Sequence, residues 1–464
     1  MKHSIYLLTL VTVLMTALSC TPSDTSSTEE VSQWPVVLFA GDYPDPSILV
    51  EGDDYYLTCT SNYWLPALPI WHSKDLVNWE FVGNALEKYI GTVWAPDIQK
   101  IDGRYVIYFP AGGEIYVVYS DAITGPWSEP EDLGVRAIDP GFIESEDGHR
   151  CLYFNGGWMV DLAPDGLSVV GEPRHVYDPW PIPADWVVEC TCLESPKLVK
   201  HNGWYYLTSA EGGTAGPATS HMAVVHRSRQ PEGPWEASPY NPVIHTWSAD
   251  EEWWSKGHGT LFADAQGQWW MVYHAYRKGY HTLGRHALLE PMTWTSDGWP
   301  VVDSTAVRRM AVRTQSGELQ WSAWKGSKML QTAVTGDTCY TFSAHVDIHQ
   351  MAQGEAGVLL SYNSRSFTGV TLSADSLRVW HEGLLVSVEA NTFGSSLYMK
   401  IVNDRHQVRI FAGTNAKTLQ QLGGVFDVSG MHHNKLGSFM SLRPALQQPE
   451  GAVIDNVSYK PSAE

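Results

Sequence analysis

The chain reads as all-β: a five-bladed β-propeller over residues 34–308 followed by a β-sandwich over residues 309–464. Two patterns point there. Five tight-turn signals, each running into aromatic and β-branched residues, recur about every 45 to 65 residues, the range of propeller blades with variable loops. Near Val301 to Arg309 that recurrence stops, and short alternating apolar runs take over.

The N-terminus reads as a processing segment. Lys2 and His3 precede an apolar run from Ile5 to Leu18, shorter than the roughly 20 residues that span a bilayer, and Ser19-Cys20 follows. Ala17-Leu18-Ser19-Cys20 resembles a bacterial lipoprotein cleavage box, which makes residues 1–20 a lipoprotein-type signal peptide with Cys20 as the lipid-bearing residue; a plain cleaved signal is the alternative. Residues 21–33 are polar and read as a flexible tether. Such a protein is secreted across the inner membrane, touches membrane only through its lipid, and works in the periplasm or at the cell surface. A formal charge of −21, from 51 acids against 30 bases, excludes a nucleic-acid partner, because a phosphate backbone needs a basic surface. Beyond Cys20 there are five cysteines, Cys59, Cys151, Cys190, Cys192 and Cys339, an odd number that argues against a full disulfide framework. Cys190 and Cys192 read as small residues on a strand, on one face with Glu194.

The blades follow from the turns. Gly52-Asp53-Asp54-Tyr55-Tyr56-Leu57, Asp102-Gly103-Arg104-Tyr105, Asp147-Gly148-His149-Arg150, Asn202-Gly203-Trp204-Tyr205-Tyr206-Leu207 and Gln266-Gly267-Gln268-Trp269-Trp270 each predict a hairpin between the first two strands of a blade. Trp79, Trp127 and Trp235 close a second marker, an outer-strand turn pinned by tryptophan. Closing the modules into a ring removes the sheet edges that an open array would expose. Roughly six to nine residues before each turn stand Asp45, Asp97, Asp139, Glu194 and His258, read as one structural position at the head of each innermost strand and therefore ringing the channel mouth. Burying several carboxylates together costs several kcal/mol, which a purely structural core avoids.

Tyr43-Pro44-Asp45-Pro46-Ser47, Ile70-Trp71-His72-Ser73-Lys74-Asp75-Leu76-Val77-Asn78-Trp79, Trp94-Ala95-Pro96-Asp97 and Gly257-His258-Gly259 together resemble glycoside hydrolase family 43 over roughly residues 36–305. The resemblance implies that Asp45 is the general base, Asp139 the group that tunes and orients the acid, and Glu194 the proton donor. Glu194-Ser195-Pro196 departs from the family's Glu-Gly-Pro by one small residue. It further implies that Trp94 lines the pocket, that Arg285 approaches the sugar hydroxyls and carboxylates, and that Trp64 or Trp71 offers an aromatic face to substrate, with packing as the alternative for both. Asp97 is counted with the substrate-binding set, although its family counterpart is usually structural. At His258 it suggests an axial ion or water cluster, with calcium as one candidate and a histidine satisfied by waters and carboxylates as the other; no cofactor is required.

An inverting hydrolase needs one protonated carboxyl at the leaving oxygen and one ionised carboxylate on the opposite face, with room for a water between them. The expectation is an exo-acting inverting enzyme that removes terminal β-D-xylose or α-L-arabinofuranose from plant cell-wall oligosaccharides. An arabinanase or exo-galactanase, or a non-catalytic surface glycan-binding protein, are the alternatives. In the second domain, Gly357-Val358-Leu359-Leu360-Ser361-Tyr362, Leu397-Tyr398-Met399-Lys400-Ile401-Val402 and Val408-Arg409-Ile410-Phe411 carry the strand pattern. The closing run Ala452 to Tyr459 resembles the last strand of a concanavalin-like module, which in relatives leans over the pocket or serves as plain support.

Overall fold

A computed structural model describes residues 34–306 and 319–462; the signal segment with Cys20, the tether and the expected boundary at 308/309 lie outside the described residues. Five antiparallel sheets follow the turns. The first blade is Ser47–Glu51, Asp54–Thr58, Ala67–Ser73 and Trp79–Leu86, and the second is Asp97–Ile101, Arg104–Ala111, Glu114–Ser120 and Glu131–Asp132. The third is Gly141–Glu144, Arg150–Phe154, Trp158–Leu162 and Val169–His175; the fourth is Glu194–His201, Trp204–Glu211, Met222–Ser228 and Glu236–Ala237. The fifth takes Trp253–Ala263, Trp269–Arg277 and Arg285–Trp294 from late in the propeller and its outer strand, Val36–Phe39, from the beginning, with Val36 opposite Leu289 and Val37 opposite Leu288. The ring is thus closed by hydrogen bonds between its two ends.

The five innermost strands pack side by side around the axis. Apolar clusters fill the spaces between adjacent blades, such as Phe39, Leu57, Trp79 and Trp270 between the fifth and first, and Ile98, Ile107 and Phe109 between the first and second. Strands covered on both sides read as nearly continuous apolar runs: Trp269–Arg277 is buried at every residue but its ends.

The second domain is a two-sheet sandwich. One sheet runs Gln420–Asp427, Gln407–Gly413, Ser396–Asp404, Cys339–Asp347, Val453–Pro461. The other runs Leu384–Ala390, Ser376–His381, Phe367–Leu372, Ala356–Ser361, Arg443–Gln447, Ser327–Ala333, Trp321–Trp324, and ends on the propeller's own Trp64–Leu65. Tyr340, Phe342, Ala344 and Val346 alternate inward along one strand and meet Leu397, Met399 and Ile401 in a single core. Because Ala323 and Trp324 pair with Leu65 and Trp64, the two domains share a sheet.

Two expectations are corrected. Cys190 and Cys192 lie in the loop before the fourth blade and form a disulfide with each other instead of packing as free thiols on a strand. The five channel-mouth residues do not share one position. The equivalent residues are Asp45, Ala95, Asp139, Ser195 and His258, each two places before the regular pairing of its inner strand. A bulge between Glu194 and Lys197 sets Glu194 one residue earlier, and Asp97 comes two later.

Candidate active site

Four of those five equivalent residues have left-handed backbones, with φ of 58° at Asp45 and Asp139 and 55° at Ser195 and His258. Non-glycine residues adopt this conformation at a cost and cluster at functional sites. Here it turns the side chains of Asp45, Asp139 and His258 toward a cavity of about 100 Å³ lined also by Trp94, Ile138, Glu194, Thr214, Arg285 and Phe439.

Asp45 is the most heavily bonded group in the site. Its Oδ1 accepts from Nη1 of Arg285 at 2.9 Å, and Nδ1 of His258 lies 3.2 Å from the same oxygen. Its Oδ2 accepts from the Thr60 hydroxyl at 2.6 Å, and that hydroxyl in turn accepts the amide of Ala95. His274 Nδ1 sits 3.1 Å from both the amide nitrogen and Oδ1 of Asp45, while its Nε2 faces Thr214. Burial would raise the Asp45 pKa, but Arg285, His258 and His274 outweigh it and hold the carboxyl well below the usual range.

The other two carboxyls shift the opposite way. Burial, then the charge of Asp45, pushes Asp139 up to about 7, against the pull of Lys197 and the Ser195 amide. That amide donates to Asp139 Oδ2 at 3.0 Å. Glu194 is carried well above its ordinary value by burial first, then by the charges of Asp139 and Asp45, with Arg285 opposing. Glu194 faces the cavity and is half-buried, so a substrate would complete its desolvation.

Trp94 and Arg285 line the cavity as expected from sequence. Asp97 does not. It lies one layer below, where Oδ1 receives Lys197 Nζ at 2.9 Å and Oδ2 receives the Phe142 amide, so its register places it in an axial girdle. Lys197 also donates to the carbonyls of Pro96 and Pro140, tying the second, third and fourth blades together. Trp64 and Trp71 line a separate cavity of about 140 Å³, with Trp321 of the sandwich and Arg443 beside them, because the first blade's second loop faces the other domain.

No sequence signal pointed to Phe439. It comes from the sandwich, in a segment without strand periodicity, where Ser438 and Phe439 have positive φ. Its ring stacks on His433 with centroids 3.6 Å apart, its carbonyl accepts Asn62 Nδ2, and the Arg285 guanidinium lies 5.3 Å from the ring centre. The appended domain therefore supplies part of the pocket wall. His274 and Thr60 were missed as well, though a histidine inside the buried run Val272 to Tyr276 was a visible anomaly.

Around His258, ligand-type atoms of Asp45, His258 and His274 lie within 4.8 Å of one another, as do those of Glu194, His221 and His258. Burial lowers His258 to about 3 and His274 to about 4, against the pull of Asp45 on both. Calcium takes six to eight oxygen ligands. Three imidazoles and two carboxylates, of which Asp45 is already engaged by Arg285, Thr60 and the His258 ring, do not form that set.

The model of glycosyl hydrolases family 43 matches residues 34–300, and the chain belongs to this family. A xylan 1,3-β-xylosidase of a Vibrio species is 31% identical over 313 residues, covering 57% of this chain and 56% of that protein. A non-reducing end α-L-arabinofuranosidase of Bacteroides ovatus is 34% identical over 296 residues, covering 58% and 53%. The chain thus spans just over half the length of these relatives. Among solved structures, a family 43 protein of Bacillus licheniformis superimposes with a TM-score of 0.81 at 22% identity, over 92% of this chain and 100% of that one. The xylan β-1,4-xylosidase of Bacillus halodurans gives 0.77 at 21%, over 92% and 100%. At that identity the likeness establishes the fold, and it extends through the sandwich.

Proposed function

We propose that this chain is an exo-acting inverting glycoside hydrolase that releases a terminal pentose, β-D-xylose or α-L-arabinofuranose, from plant cell-wall oligosaccharides. The observation that carries this reading is that three carboxyls line one cavity, with the buried Asp45 and the half-buried Glu194 pushed in opposite directions by their surroundings. Asp45 is held ionised and suits a general base, while Glu194 is held protonated and suits a general acid. In the single displacement, Asp45 takes a proton from water as its oxygen bonds the anomeric carbon. Glu194 gives its proton to the departing glycosidic oxygen. Asp139 acts through Glu194: its charge raises the donor's pKa, and its bond to the Ser195 amide fixes the turn that carries the donor.

The small cavity, walled by Trp94 and Phe439, supports removal of one ring at a time. The activities of the relatives, a β-xylosidase and an α-L-arabinofuranosidase, support a pentose. Family 43 enzymes are generally cofactor-independent, and every proton in this scheme is handled by the chain's own residues. Calcium has no role in the proposal, since the donors around His258 do not suit it.

The test is hydrolysis of aryl β-D-xylopyranoside and aryl α-L-arabinofuranoside by the protein and by Glu194→Ala. Release from one glycoside, lost in the variant and giving product of inverted anomeric configuration, is expected. Retained configuration would refute single displacement, and silence of the folded protein on both glycosides would refute the pentosidase reading. We also propose tethering through Cys20; release of the protein from membranes by a salt wash would refute it.

A further inference from the structure

Phe439, held by Asn62 and stacked near Arg285, walls the cavity on the side of the first and fifth blades. Glu194 enters the cavity from the fourth blade. If the proposed hydrolase reading holds, the leaving oxygen lies against Glu194, so the rest of the saccharide must run outward over the fourth blade's loops. On this face outer strands end and inner strands begin, and two connections meet there: the one from His175 to Glu194 and the one from His245 to Trp253.

Those connections carry an aromatic cluster that the catalytic scheme does not use. Trp186 stacks on His245 with centroids 4.8 Å apart and planes 8° apart, and Trp180 meets Trp186 edge-on at 6.1 Å. Trp247 stands perpendicular to both Trp186 and His245 and is 66% exposed. The cluster is anchored to the site. His245 Nε2 bonds the Thr219 carbonyl, and Glu189 receives the Ala215 amide at 2.8 Å. The loop holding both partners also carries Thr214, which lines the cavity. The Cys190–Cys192 disulfide lies in the same lead-in to Glu194 as Trp186, the residue that braces Trp247.

We infer that Trp247, supported by Trp186, is a stacking platform for a sugar ring of the saccharide chain on the leaving-group side, and so a specificity-determining residue for chain-length preference. An exposed indole braced edge-on by Trp186 and His245 presents apolar area to the C–H face of a sugar ring with little ordering cost. The assignment rests on the hydrolase reading, because it is the position of Glu194 that defines the leaving side.

The test compares kcat/KM on the one-ring aryl glycosides with kcat/KM on xylotetraose and on arabinofuranosyl-substituted xylotetraose, for the protein and for Trp247→Ala and Trp247→Phe. Trp247→Ala should lower kcat/KM on the oligosaccharide about tenfold, chiefly through KM, and leave the aryl glycoside within about twofold. Trp247→Phe should retain most of the oligosaccharide activity. In a Glu194→Gln background, xylotetraose should bind about tenfold more weakly when Trp247 is replaced by alanine. Equal losses on aryl glycoside and oligosaccharide, or no loss on either, would overturn the platform while leaving the hydrolase reading intact. An unreplaced protein inactive on every glycoside would instead sink the hydrolase reading, and the leaving-side assignment with it.

Discussion

Replacing Arg443 with methionine tests how firmly the sandwich is bound to the propeller. Arg443 Nη2 donates to Asp42 Oδ2 at 2.9 Å, and their side chains are 5% and 1% exposed. Its Nε donates to the Ser441 hydroxyl, and its guanidinium lies 5.1 Å from the centre of the Trp64 ring. In Arg443→Met the Asp42 carboxylate would keep a weak donor, the Arg285 amide at 3.4 Å. Orphaning a charge in such a pair costs about 3–5 kcal/mol. For a propeller of roughly 270 residues, an unfolding entropy of about 2 cal/mol/K per residue converts that to a Tm lower by about 5–9 °C. Asp42→Asn combined with Arg443→Met removes the orphaned charge and should recover more than half of the loss. Because Phe439 lies on the same segment as Arg443, the single variant should also raise KM for the aryl glycoside. Scanning calorimetry and steady-state kinetics measure both. A Tm within 2 °C of the parent, or a double variant no more stable than the single one, would refute the reasoning.

Three further outcomes are expected. Asp139→Asn removes a like charge beside Glu194, so ionising Glu194 becomes easier and the basic limb of the kcat/KM profile moves to lower pH, each unit being worth about 1.4 kcal/mol; because burial is the larger cause, the limb should stay above the ordinary carboxyl range, and an unmoved limb would refute the coupling. Phe439→Ala should raise KM for the aryl glycoside about tenfold with a smaller change in kcat, and unchanged kinetics would show that the sandwich does not touch substrate. Burial lowers His281 and His433 to about 4, below the roughly 6.5 of an unfolded histidine, so the stability they contribute is complete above pH ~6.5 and is lost as pH falls toward 4. Tm recorded from pH 7 to 4.5 should fall less steeply in His281→Phe, and parallel curves would refute this.

Much of the propeller was legible because its signals are local. Each Asp-Gly or Asn-Gly turn fixes a hairpin within a few residues, and Asp45, Asp139 and Glu194 follow from their distance to those turns. What escaped depends on contacts distant in sequence. The strand Val36–Phe39 is four ordinary apolar residues until its partner Arg285–Trp294 is known. Phe439 reaches the cavity only through docking of the sandwich, by way of Asn62, whose partner is 377 residues away. Trp64 and Trp71 stayed open between sugar and packing because an aromatic near such a motif looks the same whether it faces a sugar or another domain. The Cys190–Cys192 bridge was hidden by a strand assignment that the loop before Glu194 does not follow.

The bulge at Glu194 explains why this ring can hold three carboxyls with different tasks. Were the acid at the position of Ser195, equivalent residues of the first, third and fourth blades would aim carboxyls inward alike, and each would suffer similar burial and repulsion. Displacing it by one residue changes its direction, because successive side chains in extended backbone point oppositely. The left-handed backbone of Ser195 then presents an amide, not a second charge, to Asp139. Asp139 thus gains a donor that favours its ionised form, while Glu194 is left facing the cavity, where burial and the two neighbouring charges keep it protonated. Asp45 avoids the same fate because Arg285, His258 and Thr60 all converge on it. A shift of register by one residue, together with one arginine from the neighbouring blade, is sufficient to separate an acid from a base in a pocket built from repeated modules.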